Sequence, residues 1–420
     1  MASLLGPALG VRDYRRWWVA TLATYIALQM IDVAIGWQIY AQHHSTLYLG
    51  LVGLLEFVPM FILALPAGQL ADRVERRLLF AFALILGAAI GAGLCLLSSL
   101  GVRALAPYLA LALAIGIAMA LLTPSSWAMV PNLVPVSLLP SALTLSTIAS
   151  RAASVLGPAV GGVLFALSPV AAYGTAGVVC LGGALCVLAI SRAPAGEAAA
   201  HGSSQSLDDV LEGLHFVFGS PILLGAMLLD LLGVLFGGAL ALLPVYASSI
   251  LHVGPAGLGL LRASPAVGAL LAAAVITRRP LSARLGRTLL IVVAVFGASV
   301  LVFGLSRAFA LSLVALAVSG FADLFSMNIR AMLSAYATPD RLRGRVSAVE
   351  MVFISASNEL GAFESGVAAT LIGTVPAVLA GGALTILLAL AWPWTFPKLA
   401  RVDRPTDIPG NWVVDAAETA

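Results

Sequence analysis

Residues 53–59, GLLEFVP, reappear as GLLRASP at residues 259–265, each near the start of a long apolar stretch. A longer match relates residues 135–162 to residues 339–366, in which prolines and glycines recur at one constant offset. Internal repeats of this size in one chain indicate a duplicated membrane fold. The sequence therefore predicts two structurally equivalent halves.

The composition assigns the chain to the membrane. Of its 420 residues, 61% are hydrophobic and 10% are charged, and the mean hydropathy is +1.04, far above that of soluble domains. Apolar stretches of about 20 residues bounded by charges or turn formers are typical of transmembrane helices. Twelve are predicted, at residues 17–40, 48–70, 78–99, 105–128, 140–167, 169–191, 221–247, 256–277, 287–305, 309–333, 346–370 and 374–396.

Each span is predicted to be a helix, because a helix satisfies its backbone hydrogen bonds within the segment. We therefore predict an all-α membrane protein with twelve transmembrane helices in two pseudo-symmetric six-helix bundles, at residues 1–191 and 221–396. A cytoplasmic linker at 192–220 contains the predicted amphipathic helix SLDDVLEGLHFVF, and a cytoplasmic tail follows at 397–420.

Arginines set the predicted orientation. They cluster before the first span, after the second and eighth, before the eleventh and, with Lys398, after the last, whereas the opposite loops carry little beyond Arg103 and Arg307. The positive-inside rule then places both termini in the cytoplasm and the chain in the cytoplasmic (inner) membrane. The net charge of +3 thus reflects topology, and no nucleic-acid partner is expected.

The loop between the second and third spans carries the motif GQLADRVERR at residues 68–77. It resembles the major facilitator motif G-x-L-A-D-R-x-G-R-[KR] and departs from it at Glu75. The matching residues are Gly68, Leu70, Ala71, Asp72, Arg73, Arg76 and Arg77. The resemblance implies that Asp72 lies beside the start of the eleventh helix, near Arg343 or Arg345. We predict that this contact holds the cytoplasmic gate shut in the outward-facing state; the alternative for Glu75 and Arg77 is a solvated anchor.

The fifth span contains SVLGPAVGG, which resembles the antiporter motif of the same superfamily, G-x-x-x-G-P-x-x-G-G. Gly157, Pro158, Gly161 and Gly162 match it, and Ala153 stands at the first glycine. Small residues allow close helix contact, so these glycines are predicted to bring the fifth helix against the eighth. The resemblance associates the motif with exporters.

Nearly the whole chain is similar to the major facilitator branch that includes the enterobactin exporter, and its most distinctive stretch is SNELGAFESG at residues 357–366. The branch motifs on and before the eleventh span include Arg343, Arg345, Asn358, Glu359 and Glu364. The resemblance implies a proton-coupled exporter of a siderophore-like metabolite or a drug, working by alternating access. The alternatives are a broad multidrug antiporter, a transport-inactive receptor or sensor, and an importer.

Ionisable residues inside membrane helices are functional candidates because their burial in hydrocarbon is costly. The candidates for proton coupling or the substrate cavity are Asp32, Glu56, Arg151, Asp230, Asp323 and Glu359. In the major facilitator arrangement the first, fourth, seventh and tenth helices line the cavity, which favours Asp32, Asp230 and Asp323.

The sharpest hypothesis concerns Asp32. Asp32, assisted by Glu56 at similar depth, is predicted to take up a periplasmic proton, which weakens its pairing with Arg151. The alternative is a static structural ion pair. Arg262, the repeat equivalent of Glu56, is predicted to neutralise a separate partner such as Glu364.

Two further groups, Arg330 and Glu350, lie near cytoplasmic span ends, where snorkelling to the interface is the default interpretation. No enzyme is predicted, because the chain contains no H-E-x-x-H, G-x-S-x-G or phosphate-cradling G-x-x-x-x-G-K-[ST] motif. No cofactor or metal is expected. The expected partners are a small-molecule substrate, protons and membrane lipids, and the chain is expected to be a monomer.

Overall fold

The computed structural model describes residues 6–191, 207–279, 281 and 283–408, apart from the side chains of residues 64, 65, 71–73 and 207–210. Within this part of the chain the long elements are all helices, and no strand is present. They are α1 Arg12–His43, α2 Thr46–Arg73, α3 Arg76–Ser99, α4 Leu105–Trp127, α5 Leu139–Leu167, α6 Pro169–Leu188, α7 Leu207–Gly219, α8 Pro221–Gly237, α9 Gly254–Arg278, α10 Leu285–Leu305, α11 Phe309–Ala337, α12 Arg343–Ile372 and α13 Thr374–Thr395.

The helix boundaries agree with the twelve predicted spans to within a few residues at nearly every end. Eleven segments of the described chain are long and apolar enough to cross a membrane. The twelfth, α12, is 30 residues long but contains Glu350, Asn358, Glu359 and Glu364, which lower its hydropathy. The prediction of an all-helical, twelve-span membrane fold is therefore confirmed.

The seventh predicted span departs from a single helix. Helix α8 ends at Gly237, and the chain continues through a 3₁₀ turn at Ala239–Leu242, a helical turn at Leu243–Val245 and a π turn at Tyr246–Ile250. At the break the Ser365 hydroxyl donates a hydrogen bond of 3.2 Å to the Gly238 carbonyl. Such breaks persist in membrane helices where neighbouring groups satisfy the freed backbone.

The chain forms two compact units. The first contains residues 1–44, 55–204 and 252–263, and thus the beginning of α9; the second contains residues 45–54, 205–251 and 264–420, and thus the beginning of α2. In the first unit, apolar side chains of α1, α3, α5 and α6 form a core around Trp17 and Phe80. In the second, Leu229, Leu289 and Trp392 belong to a core built from α8, α10, α11 and α13.

The internal repeat is visible in how each unit packs. In the first unit, a Cβ on Gly116 of α4 would lie 2.2 Å from the Glu56 carbonyl oxygen of α2. In the second, a Cβ on Gly320 of α11 would lie 1.9 Å from the Pro265 carbonyl oxygen of α9. The same two helices of each repeat therefore meet backbone to backbone, through glycines that the sequence repeat relates.

Candidate functional site

The first unit contains an ion pair between two transmembrane helices. Asp32 of α1 accepts a hydrogen bond from the Arg262 guanidinium of α9. The Asp32 side chain is 30% exposed and that of Arg262 is 23% exposed. The pair is thus half-buried.

Glycines of α5 explain why these two residues meet. A Cβ on Gly161 would come within 2.7 Å of the Met30 Cα of α1, and a Cβ on Gly162 within 2.9 Å of the Gly259 Cα of α9. Helix α5 therefore contacts α1 and α9 at one depth. Asp32 follows the first contact by two residues, and Arg262 follows the second by three, so both charged side chains lie near this junction.

The predicted pairing of Asp32 with Arg151 is wrong. Arg151 precedes Gly161 by ten residues on α5, about 15 Å along the helix axis, and so lies at a different depth from Asp32. Among the described ion pairs Arg151 has no carboxylate within 4.0 Å. Arg262 was predicted to neutralise a separate partner such as Glu364, and in the structure that partner is Asp32.

The antiporter motif packs on two neighbours. Gly162 packs against α9, the eighth span, as the motif predicts. Gly157 instead meets Gln29 and the Ile26 carbonyl oxygen of α1, on the same side as Gly161. The small residues therefore allow α5 to pack closely against both α1 and α9, whereas the sequence predicted close packing against α9 alone.

A second ion pair lies in the second unit. Asp230 of α8 and Arg330 of α11 are 2.7 Å apart, with side chains 7% and 6% exposed. The snorkelling interpretation of Arg330 is therefore wrong: its guanidinium is buried against a carboxylate. A cavity of about 20 Å³ lies beside the pair, and Asp230, Asp323 and Ser326 line it together with apolar side chains.

The family stretch on α12 packs against two other segments of the second unit. On one face, Glu359 lies beside Gly53 of α2, and a Cβ on Gly366 would lie 2.9 Å from the Gly50 Cα. On the other, Gly361 approaches the Leu235 carbonyl oxygen of α8, and Ser365 bonds to the helix break. This stretch therefore seats α12 between the first turns of α2 and the broken end of α8.

The remaining candidates on α12 and α2 have different surroundings. Asn358 is exposed, and its amide donates to the Ile354 carbonyl oxygen within the same helix at 3.0 Å. Glu364 is half-buried. Glu56, on α2, is half-buried, and its main chain contacts Gly116.

Two arginines of the GQLADRVERR motif donate hydrogen bonds to carbonyl groups at the C-terminal ends of other helices. Arg76 donates to the Ala128 carbonyl oxygen just past α4, at 3.0 Å. Arg77 donates to the Ile190 carbonyl oxygen just past α6, at 2.6 Å, and pairs with Glu75 at 3.0 Å. A cation at a helix C-terminus satisfies carbonyls that lack intrahelical partners and complements the helix dipole. Arg77 is thus a C-terminal cap for α6, a role that was not predicted from the sequence.

The gating prediction falls partly outside the described structure. The side chains of Asp72 and Arg73 are among those not described, so their predicted contact with α12 stays a prediction. Gly68, at the start of the motif, has open space where a Cβ would stand.

Arg343 and Arg345, which were predicted to meet Asp72, and the neighbouring Arg341 have other carboxylates nearby. Arg345 forms an ion pair with Glu212 of the linker helix α7, and Arg341 lies 3.6 Å from the same carboxylate. Arg343 pairs with Asp340 at 2.9 Å. Glu212 was not among the predicted residues, although it lies in the linker segment that the sequence marks as an amphipathic helix.

The family of transmembrane secretion effectors matches residues 4–414. The chain belongs to that family, within the major facilitator superfamily. It is therefore a membrane transporter and not an enzyme. Among the described residues no group of three or more histidine, cysteine, aspartate or glutamate side chains is placed to hold a metal ion.

Curated relatives cover nearly the whole transporter. The enterobactin exporter EntS of Citrobacter koseri is 27% identical over 399 residues, 94% of each chain. That of Shigella boydii is 29% identical over 337 residues, 80% of each chain.

Solved structures share the fold at low sequence identity. A bacterial homologue of the human lysosomal transporter Spinster aligns with a TM-score of 0.70 at 14% identity, over 92% of this chain and 97% of that one. The xylose transporter XylE from Escherichia coli aligns with a TM-score of 0.70 at 14% identity, over 96% and 99% of the two chains.

Proposed function

We propose that the protein exports a siderophore-like metabolite from the cytoplasm in exchange for protons, by alternating access. The similarity to enterobactin exporters over almost the full length of both chains carries this proposal. We further propose that the chain works as a monomer in the cytoplasmic membrane, surrounded by lipids, with both termini in the cytoplasm. The arginine clusters on one side of the predicted spans support this orientation.

The half-buried pair of Asp32 and Arg262 supports a role in coupling. The two residues lie in α1 and α9, which belong to different sequence repeats, so a motion that separates these helices breaks the pair. A proton on Asp32 removes the charge that holds Arg262. The released guanidinium can then bind an anionic oxygen of the substrate, since arginine suits planar bidentate recognition of oxyanions.

Arg151 supports the same substrate class. It is a half-buried arginine in a membrane helix, and the described ion pairs include none to this residue. A half-buried cation that has no carboxylate partner among the described ion pairs is stabilised when an anionic ligand approaches. A catecholate siderophore brings such a charge.

Flux measurements in proteoliposomes test the proposal. Purified protein is reconstituted with enterobactin as the probe, and a proton gradient of either sign is imposed. We expect enterobactin to move against the direction of proton flow, with protons entering the compartment that it leaves. Movement together with protons would indicate an importer, and the absence of gradient-dependent flux would indicate a receptor.

A cellular experiment separates the two substrate classes. We expect deletion in the native host to cause retention of a metabolite only when iron is scarce, as profiling of cells and medium would detect. Broad sensitivity to dyes and drugs at every iron level would instead assign the protein to multidrug efflux.

A further inference from the structure

Two segments that lie far apart in the chain meet at the start of α10. The Leu285 amide donates a hydrogen bond of 3.1 Å to the Asp403 carbonyl oxygen, and the Gly286 amide donates one of 2.9 Å to the Val402 carbonyl oxygen. A Cβ on Gly286 would clash with the Leu399 carbonyl oxygen, so the two backbones are in direct contact. The first turn of α10 and the segment after α13 therefore form a single surface of the second unit.

This junction brings four cations together. Arg284 and Arg287 flank the contact on the α10 side, Lys398 and Arg401 flank it on the other side, and all four residues are exposed. The described ion pairs include none of them. The carboxylate of Asp403 beside them accepts a hydrogen bond of 3.0 Å from the Arg284 amide. These four cations, which we call the basic surface, thus outnumber the carboxylate at the junction.

The backbone of Arg284 indicates that its side chain has a role. Arg284 has φ 58° and ψ 36°, in the left-handed region that favours glycine and is costly for a residue with a Cβ. Its amide is held there by the Asp403 carboxylate. Non-glycine residues in such conformations are concentrated at sites that contact ligands. An arginine where glycine would suit the backbone better is therefore consistent with a ligand for the guanidinium.

An exposed apolar face runs along α10 from the basic surface. Ile291 and Val295 follow Arg287 at intervals of four residues, and both are exposed. Residues four apart share one face of a helix. A cation at the end of such a face matches a phospholipid, whose charged headgroup lies at the membrane interface and whose acyl chains lie in the hydrocarbon core.

Helix α13 contributes a second face of the same kind. It packs against α10, since a Cβ on Gly297 would lie 2.8 Å from the Gly382 carbonyl oxygen. Leu387 and Trp394 lie seven residues apart on α13 and are 60% and 82% exposed. Tryptophan is typical of the headgroup level of a membrane, and Lys398 of the basic surface follows shortly after it.

We propose that the basic surface binds the headgroup of an anionic phospholipid, whose acyl chains lie along the exposed faces of α10 and α13. Basic sites of this kind beside membrane helices suit lipids with several negative charges. Cardiolipin carries two phosphates and matches four cations better than a lipid with one phosphate. A soluble anion would use the cations but would leave the two apolar faces without a partner. The site does not depend on which substrate the protein transports.

Native mass spectrometry of the full-length protein in detergent, titrated with cardiolipin, tests the site. We expect the wild type to bind cardiolipin more tightly than phosphatidylcholine with the same acyl chains. The double variant Arg287→Gln with Arg401→Gln should bind cardiolipin about 25-fold more weakly, because each cation near an anionic lipid contributes about fivefold. Unchanged binding in this variant, or equal binding of the two lipids by the wild type, would overturn the proposal.

The matched control is Arg12→Gln with Arg15→Gln, which removes two exposed arginines of the first unit and should leave cardiolipin binding unchanged. An equal loss in this control would show that net charge alone attracts the lipid, and the site would be rejected. Arg284→Gly is a second test, because glycine suits the left-handed backbone. It should keep the midpoint of thermal unfolding and weaken cardiolipin binding about fivefold; unchanged binding would count against the site.

Two competitors distinguish a lipid from a soluble ligand. Glycerol 3-phosphate has the phosphate without the acyl chains, and polyglutamate represents an acidic protein segment. Neither should displace bound cardiolipin at an equal molar concentration, because neither covers the apolar faces. Displacement by glycerol 3-phosphate would assign the surface to soluble phosphates, and displacement by polyglutamate would assign it to a protein partner. Either result would overturn the lipid site.

Discussion

Asp32 and Asp230 are both carboxylates in membrane helices with an arginine partner, yet their burial differs. Asp230 and Arg330 are almost fully buried, whereas Asp32 and Arg262 are about one-quarter exposed. Removing one partner of a buried pair leaves an uncompensated charge and costs about 3–5 kcal/mol. Loss of one partner costs less in a half-buried pair, and a fully solvent-exposed pair contributes only up to about 1 kcal/mol. At the residue scale, the pair of Asp230 with Arg330 therefore stabilises the fold. The pair of Asp32 with Arg262 costs less to break, so either residue can take another partner.

The first prediction concerns the exchangeable pair. We expect Arg262→Gln to lower the initial rate of enterobactin efflux from proteoliposomes roughly tenfold, equivalent to about 1.4 kcal/mol of interaction, because Asp32 then loses its cation. The double variant Asp32→Asn with Arg262→Gln should be less impaired than this single variant. Arg307→Gln, on the loop between α10 and α11, is the matched control and should transport normally. A double variant no better than Arg262→Gln would show that the two charges do not act as a pair.

The second prediction concerns stability. Arg330→Gln should destabilise the protein by about 3–5 kcal/mol, measured as a lower midpoint of thermal unfolding in detergent, because Asp230 remains buried without a cation. Adding Asp230→Asn should restore much of the loss. Arg343→Gln serves as the control, since its side chain is 46% exposed. Equal midpoints for Arg330→Gln and Arg343→Gln would contradict the buried charge pair.

At the element scale, α5 and α12 are equivalent helices of the two repeats and pack in the same way. Gly157 meets α1 and Gly361 meets α8, the first helix of each repeat. Gly162 meets the start of α9, and Gly366 meets the start of α2. Backbones approach this closely only where no Cβ intervenes, so each glycine-rich stretch joins its helix to two neighbours at once.

The third prediction tests one of these contacts. We expect Gly162→Ala to lower the unfolding midpoint and the efflux rate, because the new Cβ would lie 2.5 Å from the Pro255 carbonyl oxygen and overpacking costs about 1–3 kcal/mol. Gly182→Ala on α6 is the control, since open space surrounds that position. Alanine there should be neutral or slightly stabilising. If both variants behaved alike, the contact between α5 and α9 would be unimportant.

The linker helix α7 is an element docked on other helices of the second unit. Its Val217 is fully buried in an apolar cluster with Met227 of α8 and Val346 and Val349 of α12. The ion pair between Glu212 and Arg345 adds a polar contact at the same end of α12. Helix α7 thus joins the starts of α8 and α12.

The fourth prediction follows from that docking. Val217→Asp should release α7, because an unpaired carboxylate is disfavoured in an apolar cluster, and amide exchange of residues 207–219 should accelerate roughly tenfold or more. Leu211→Asp, at a site that is 58% exposed on the same helix, should leave exchange unchanged. Similar exchange in the two variants would show that α7 is not held by this cluster.

At the scale of the whole molecule, export requires that access to the substrate site alternate between the two sides of the membrane. The contacts of α5 with α9 and of α12 with α2 each join helices from different sequence repeats, so a transport cycle acts on these contacts. The gate predicted at Asp72 would act at the opposite ends of the helices, where the arginine-rich loops lie.

The fifth prediction tests that gate. We expect Asp72→Asn to reduce enterobactin efflux without reducing the amount of protein in the membrane, because neutralising the carboxylate weakens its attraction to the N-terminus of α12. Flux and abundance would be measured on the same membranes. Asp407→Asn, an exposed carboxylate in the turn past α13, is the control. Unchanged flux in Asp72→Asn would reject the gate.

The sequence could predict the elements better than the contacts between them. The bilayer requires about 20 apolar residues for a span, so the limits of α3, α5 and α13 could be read from where charges and turn formers begin. The break after Gly237 was missed because the residues that follow are as apolar as those before. Gly237 and Gly238 in succession, with Pro244 soon after, were the available signal.

The sequence alone determined the number of spans, their duplication and the glycine-rich stretches on α5 and α12, because hydropathy and local backbone sterics depend on nearby residues. Only the tertiary structure decided that Asp32 pairs with Arg262 and that Asp230 pairs with Arg330, and it alone showed that Arg77 caps α6. A charged side chain on a helix can reach several neighbours, and its partner depends on the depth and rotation of helices that lie far apart in the chain. The physical reason is that helix formation is local, whereas the pairing of buried charges is set by packing.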